Sequence, residues 1–261
     1  MSARLTIEYD GTNFAGWAAQ PGQRTIQAEL ERALQTVLRR PVTLTVAGRT
    51  DAGVHAWAQV ASHEGEAAPL GSLNALLPAD VAVIVSEPAP DGFDARRDCT
   101  SRAYCYRVLT RAARPALERG RMLHWRYPAD LAALHTCAAL LPGSHDFTAF
   151  TPADTYHVRF ERDIYAAYWL ERGRGLLEFW IEADTFMRHM NRTLVGTMLD
   201  VARGRRSPRS FAALLDGAPR SAAGPTAPAH GLYFAGAGYA GARLLGATHL
   251  LAAPPSSLQA S

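Results

Sequence analysis

A chain of 261 residues, 48% hydrophobic and 20% charged, is long enough for one large or two moderate globular domains, each with its own core. No apolar run approaches the ~20 residues of a membrane span. The opening MSARLTIEYDG lacks the charged head and apolar centre of a secretory signal, so a cytoplasmic protein is expected. The formal net charge is only +3, yet all 27 basic residues are arginine.

Arg4 to Tyr9 reads as a strand ending in the turn-prone DGTN. Thr25 stands where it can cap a helix in which Ile26, Leu30, Ala33, Leu34, Val37 and Leu38 recur at helical spacing. Val42, Leu44 and Val46 alternate as a strand running into AGRTDAGVH, and the strand pattern resumes from Trp57 to Ser62. Leu73 to Leu77 predicts a brief helix and Val81 to Ser86 a buried strand. Ala103 to Leu109 is a further strand that places Tyr104 and Tyr106 on one face. The Arg/Pro-containing stretch Arg111 to Arg121 is the expected domain junction. Beyond it come a helix (Asp130 to Leu141), strands (Val158 to Leu170, Leu176 to Ile181), a long helix from Thr185 to about Arg203, and a closing strand from His230 to Tyr239. The pattern is that of an α+β protein, with two pseudo-related α/β units, a largely antiparallel central sheet, helices packed on it and a cleft between the halves. The expected boundaries are 1–108, 109–242, and a loosely held tail at 243–261.

Cys99, Cys105 and Cys137 form no C-x-x-C pair and read as reduced, buried thiols. The nine histidines show no zinc spacing, and neither a phosphate-binding P-loop nor a hydrolase elbow is present. His55, His145 and His189 read as structural hydrogen-bonding groups. The stretch Ala47 to His55 is different. Gly48 and Gly53 permit a sharp turn and close approach to a ligand, and Asp51 between them projects from a strand end. An Asp beside a Gly can simply close a turn; the adjoining Arg49 and Thr50 make the segment a candidate site. From Arg96 to Arg121 eight arginines face only Asp98 and Glu118, and Arg203, Arg205, Arg206 and Arg209 form a second group. Such clusters suit a polyanion, because guanidinium forks grip phosphates, or else form a solvated loop face.

GRTDAGVHA, Gly48 to Ala56, resembles the active-site signature of the TruA family of tRNA pseudouridine synthases. YDGTNFAGW, LNALLPADV, FDARRDCTSRAYCYRVL, GSHDFTAF, FMRHMNRTLVGTMLDVARGR and TAPAHGLYF resemble further blocks of that family, in order, over roughly residues 3 to 240. The resemblance implies isomerisation of uridine to pseudouridine in the anticodon stem-loop of tRNA, at positions 38 to 40, with no cofactor and no metal. It also implies a homodimer with one tRNA spanning both subunits. Asp51 falls on the family's catalytic aspartate, which attacks or deprotonates at the sugar. Arg192, in FMRHMNR, is the cation expected to hold Asp51 ionised, on a helix whose core stripe is Phe186, Met190, Leu194 and Met198. Tyr104, in the R-x-Y-x-Y block, is placed to stack on the extruded uracil, with Tyr106 on the same strand face. Arg49 matches the residue that fills the vacated space. Arg96, Arg97 and Arg102 become phosphate contacts, and Thr50 and Phe93, in the same blocks, substrate-binding residues. Two departures, GWAAQ near the start and Asn191 before the helix arginine, bear on substrate detail. The competing class is a non-catalytic RNA-binding protein on the same fold. A carboxylate-dependent glycosidase would require a second acid beside the first.

Overall fold

The computed structural model describes residues 1–155 and 157–246; the expected tail at 243–261 lies outside the described residues from 247 onward. The amino-terminal part comprises β1 (Ser2–Tyr9), α1 (Ile26–Leu38), β2 (Thr45–Val46), β3 (His55–Glu64), α2 (Leu70–Leu76), β4 (Val81–Ala89) and β5 (Cys99–Leu109). There follow β6 (Leu123–His124), α3 (Leu131–Ala139), β7 (Gly143–Asp146), β8 (Glu161–Glu171), β9 (Leu176–Ala183), α4 (Met190–Ala202), α5 (Pro208–Ala212) and β10 (Leu232–Tyr239). All ten strands join one sheet in the order β4-β1-β3-β10-β5-β9-β8-β7, with β2 on β3 and β6 on β5. Only the β10–β3 and β5–β6 pairings are parallel. The last strand therefore lies between two strands of the amino-terminal part and closes the centre of the sheet.

Side-chain alternation divides the sheet into two unequal faces. One face packs a single core that takes in Ile7, Leu34, Tyr104, Phe147, Phe179 and Phe234 from strands, loops and α1, with Leu134 of α3, Leu194 of α4 and Phe211 of α5. The opposite face carries a small aromatic cluster in which Trp57 and Tyr233 stack at 4.4 Å, beside Cys105 and Trp180. Local chemistry accounts for the helix ends. The Thr25 hydroxyl accepts from Ala28 N and the Asp130 carboxylate from Ala133 N, each satisfying an otherwise orphaned donor. Ser207 does the same for α5, with Pro208 in its first turn.

Four elements differ from expectation. β4 is an edge strand, not a buried one: Val81 and Val83 face the core, while Ile84 and Val85 are exposed where a register shift in the pairing with β1 interrupts the alternation. β8 starts at Glu161, and Val158 is 97% exposed. α4 begins at Met190 rather than Thr185, so Phe186 is not on the helix stripe; its ring meets Tyr104 edge-on at 5.0 Å instead. The expected strand through Val42 and Leu44 keeps its alternation of burial but contributes only Thr45 and Val46 to the ladder.

Candidate active site

The loop between β2 and β3 carries Asp51 and is held from beneath by buried groups. Gln59 donates to Gly48 O at 2.8 Å, Trp17 N to Thr50 O at 3.0 Å, and Val54 N to Asp51 O at 3.2 Å. The hydroxyls of Thr50 and Tyr9 share a hydrogen bond of 2.8 Å. Burial pushes the Tyr9 phenol up to about 12, so it remains a neutral support for the loop. Gly16 lets the two segments touch: its φ is +99°, and a β-carbon there would lie 2.8 Å from Thr50 O. These bonds fix the loop backbone and leave the Asp51 side chain 32% exposed, facing a cleft.

The partner arrives from α4. Arg192 in the first turn donates from Nε to Ala227 O at 2.8 Å and from its terminal nitrogen to Asp51 Oδ2 at 3.2 Å. Ala227 N in turn donates to Arg192 O at 3.0 Å, clamping the segment before β10 to the helix. Gly196 makes that contact possible, because a β-carbon there would lie 1.9 Å from Pro225 O. The guanidinium is thus aimed before any substrate arrives, and the amino end of the helix adds its positive dipole beside the carboxylate.

His189 completes the group. It precedes the helix in the left-handed conformation, φ 63°, a backbone cost of roughly 1–3 kcal/mol for a non-glycine residue. Its Nε2 lies 3.5 Å from the same Asp51 oxygen. Burial holds the imidazole below its ordinary range; the Asp51 charge opposes this, while Arg192, Arg188 and Arg220 reinforce it. At neutral pH the ring therefore meets Asp51 uncharged. Its three-residue spacing from Arg192 was visible in FMRHMNR, and i,i+3 residues share a helix face, but the expected helix through 185 concealed the turn that aims it.

Tyr104 is buried against Phe186 and Phe234, both edge-on at 5.0 and 5.1 Å, with its polar end toward the loop. Burial, and then the neighbouring Tyr9 and Asp51, raise its phenol well above the ordinary tyrosine range. The hydroxyl stays protonated and serves as a hydrogen-bonding group, not a phenolate. Tyr106 does not share this place; its hydroxyl donates to Pro228 O at 2.8 Å within the core.

The cleft has a volume of about 500 Å³, and its ionisable lining includes five arginines (Arg49, Arg96, Arg102, Arg188, Arg192), one carboxylate, Asp51, and two histidines, His157 and His189, whose pKa values are held below the ordinary range. Arg49 and Arg96 are exposed at its edge. Arg188, not singled out from the sequence, pairs with Asp154 at 2.7 Å. The remaining expected substrate contacts are differently placed. Thr50 is buried and bonded to Tyr9. Phe93 packs on Tyr239 at 5.2 Å, and Arg97 folds back on Asp98 and Gly92 O, both away from the cleft lining. Arg102 is 9% exposed and donates to main-chain carbonyls.

One carboxylate gripped by a fixed guanidinium, in a cleft lined by arginines, suits a polyanionic ligand. Comparison with known proteins agrees. A family model described as tRNA pseudouridine synthase matches residues 5–95 and 137–240. The "tRNA pseudouridine synthase A" of Frankia casuarinae is 45% identical over 241 residues, covering 88% of this chain and 86% of that protein. The protein of the same name from Myxococcus xanthus is 40% identical over 236 residues, covering 88% of each. Among solved structures, a Cbf5–Nop10–Gar1 complex overlaps 76% of this chain and 53% of its own at 11% identity and a TM-score of 0.34, too loose to bear on fold or function. The chain belongs to the tRNA pseudouridine synthase family.

Proposed function

We propose that the protein isomerises uridine to pseudouridine in the anticodon stem-loop of tRNA, at positions 38, 39 and 40, without a cofactor. The observation that carries this reading is the Asp51 carboxylate held 3.2 Å from Arg192 on the floor of an arginine-lined cleft, with Tyr104 beside it. Residues 1–108 supply Asp51 and Tyr104, and residues 109–242 supply Arg192 and His189, so the site needs both parts of the chain.

In this reading Arg96 and Arg188 take backbone phosphates of the stem-loop, the target uridine leaves its stack to enter the cleft, and Arg49 fills the space it vacates. Asp51 acts on the nucleotide as the anionic group, oriented by Arg192. The glycosidic C1′–N1 bond breaks, the uracil turns, and a C1′–C5 bond forms; the C5 proton is lost and N1 gains one, so the change is an isomerisation. Tyr104 offers ring surface to the base and a neutral hydroxyl to whichever base edge faces it. The homodimer with one tRNA across both subunits rests on the motif resemblance, and the cytoplasmic setting on the free, buried thiols of Cys99, Cys105 and Cys137; among the described residues no helix is long and apolar enough to cross a membrane.

The test is positional. Unmodified tRNA transcripts treated with the protein, then with a carbodiimide that tags pseudouridine, are copied by reverse transcriptase. Stops at positions 38 to 40 are expected; stops confined to another arm, or none, overturn the proposal.

A further inference from the structure

Arg102 was expected to contact phosphate, but its hydrogen bonds run in another direction. Nε donates to Ala47 O at 2.9 Å, one terminal nitrogen to Cys99 O at 3.1 Å and Asp184 O at 2.7 Å, and the other to Arg96 O at 3.1 Å. A guanidinium has five N–H donors, and four of them are committed here. The acceptors belong to separate parts of the site. Ala47 leads into the loop of Asp51, and Arg96 lies on the cleft edge. Cys99 begins β5, and Asp184 follows β9 on the way to His189 and α4. The aliphatic stem supports the same loop: a β-carbon on Gly48 would lie 3.9 Å from Arg102 Cγ and 3.5 Å from the Tyr104 hydroxyl.

We propose that Arg102 is a positioning residue, which sets the Asp51 loop, the Arg96 turn and the approach to α4 at their working separation without touching RNA. The inference rests on the isomerase reading above. Its physical basis is the shape of the side chain. A planar fork can reach four carbonyls that diverge around it, and their dipoles stabilise a charge taken out of water. A lysine ammonium, with three donors at a single point, cannot span them. The strand adds to the effect, since Tyr104 lies two residues along on the same face of β5. Any shift of Arg102 relative to Ala47 therefore displaces the loop and the ring together.

The two roles give opposite results in one experiment. Arg102→Lys, Arg102→Gln and, as the edge comparison, Arg96→Gln are assayed with tRNA for dissociation constant across a salt series and for single-turnover rate at saturating enzyme. As a positioning residue, Arg102→Lys lowers the single-turnover rate by roughly 30-fold or more although it keeps the charge, a loss within the range for misplaced catalytic groups. Arg102→Gln, which removes the charge, loses rate in the same way and leaves affinity within about threefold and the slope of log Kd against log salt unchanged. A lost phosphate contact instead reduces that slope by about 0.7–0.9, the change expected for Arg96→Gln. A reduced slope for Arg102→Gln with an undiminished single-turnover rate for Arg102→Lys overturns the proposal. The wild-type protein provides a second readout that does not depend on the variant folding. The Arg102 Nε–H is expected to exchange slowly with solvent in the free protein and to keep its chemical shift when tRNA binds. Fast exchange that slows only on tRNA binding overturns the proposal. Absence of isomerisation by the wild type would remove the isomerase reading itself, and the Nε–H measurement would still decide whether Arg102 is held by its carbonyls.

Discussion

The eight arginines from Arg96 to Arg121 form one patch in the sequence but part company in the structure, where Arg102 is buried, Arg107 is half-buried against Glu118 and Glu178, and the other six are exposed. Arg102, with Arg192 from α4, lies under the cleft and donates to carbonyls and to Asp51. Arg111, Arg114 and Arg119, in the loop after β5, are exposed, and Arg121 at its end pairs with Asp10 at 2.8 Å. Burial makes the difference. A guanidinium out of water must have its donors met by the protein, so it becomes part of the scaffold, whereas an exposed one keeps its hydration and can exchange it for phosphate. Composition presents the arginines as one group, and geometry separates those free to meet a phosphate from those already committed to the protein.

Substitutions can break this comparison at either end. The largest effect is expected under the cleft. Arg192→Gln leaves Asp51 without its fixed cation and should lower turnover roughly 10²-fold or more, the scale for removing one preorganised electrostatic partner. Affinity for tRNA should change little, as direct binding would check. Tyr104→Phe retains the ring and should cost less, about tenfold in single-turnover rate for one lost hydrogen bond of ~1.5 kcal/mol. Tyr104→Ala should instead lower stability by roughly 3–5 kcal/mol in denaturant unfolding, because Phe186 and Phe234 lose the ring between them.

At the exposed end, Arg96→Ala should weaken tRNA binding a few fold and reduce the salt slope by about one contact, while bound tRNA reacts at close to the normal rate. Arg114→Ala and Arg119→Ala, further from the cleft, should each do less. If either slowed the reaction of bound tRNA as Arg192→Gln does, the division by burial would fail.

The smallest effect is on the anchor of the exposed loop. His55 accepts from Gly11 N at 3.1 Å and reaches Gly120 O at 3.1 Å through its other nitrogen. Burial lowers its pKa below the ordinary 6.5, although Asp10 opposes the shift. The unfolded chain therefore takes up this proton before the folded one does. Its contribution leaves stability unaffected above about pH 6.5 and lowers it as pH falls through the interval down to the folded value. His63, His157, His189 and His230 shift the same way, so His55→Gln should make the acid side of a melting-temperature profile shallower without removing it.

Most elements were legible because their signals are local. The Thr25 cap, the α1 stripe and the alternation through Tyr104 and Tyr106 are read within a few residues, and GRTDAGVHA marks Asp51 by itself. What escaped is set by distant partners. Nothing in LYFAGAGY states that β10 will sit between β3 and β5, more than a hundred residues away. The run Val81 to Ser86 has the same composition whether one face or both are covered. The apolar spacing from Phe186 onward suits a helix, but His189 turns left-handed and the helix starts after it. Arg102 and Arg96 look alike in the sequence, and only the four carbonyls around one of them separate their roles.

The central claim is that Asp51 in this cleft isomerises uridine, and tritium release tests it most directly. Unmodified tRNA carrying tritium at uracil C5 is incubated with the wild-type protein and with Asp51→Ala, with tRNA binding measured for both. Release by the wild type alone, with both proteins binding tRNA, is the expected result. Equal release from the two would remove Asp51 from the chemistry, and no release from a tRNA-bound wild type would contradict the isomerase reading.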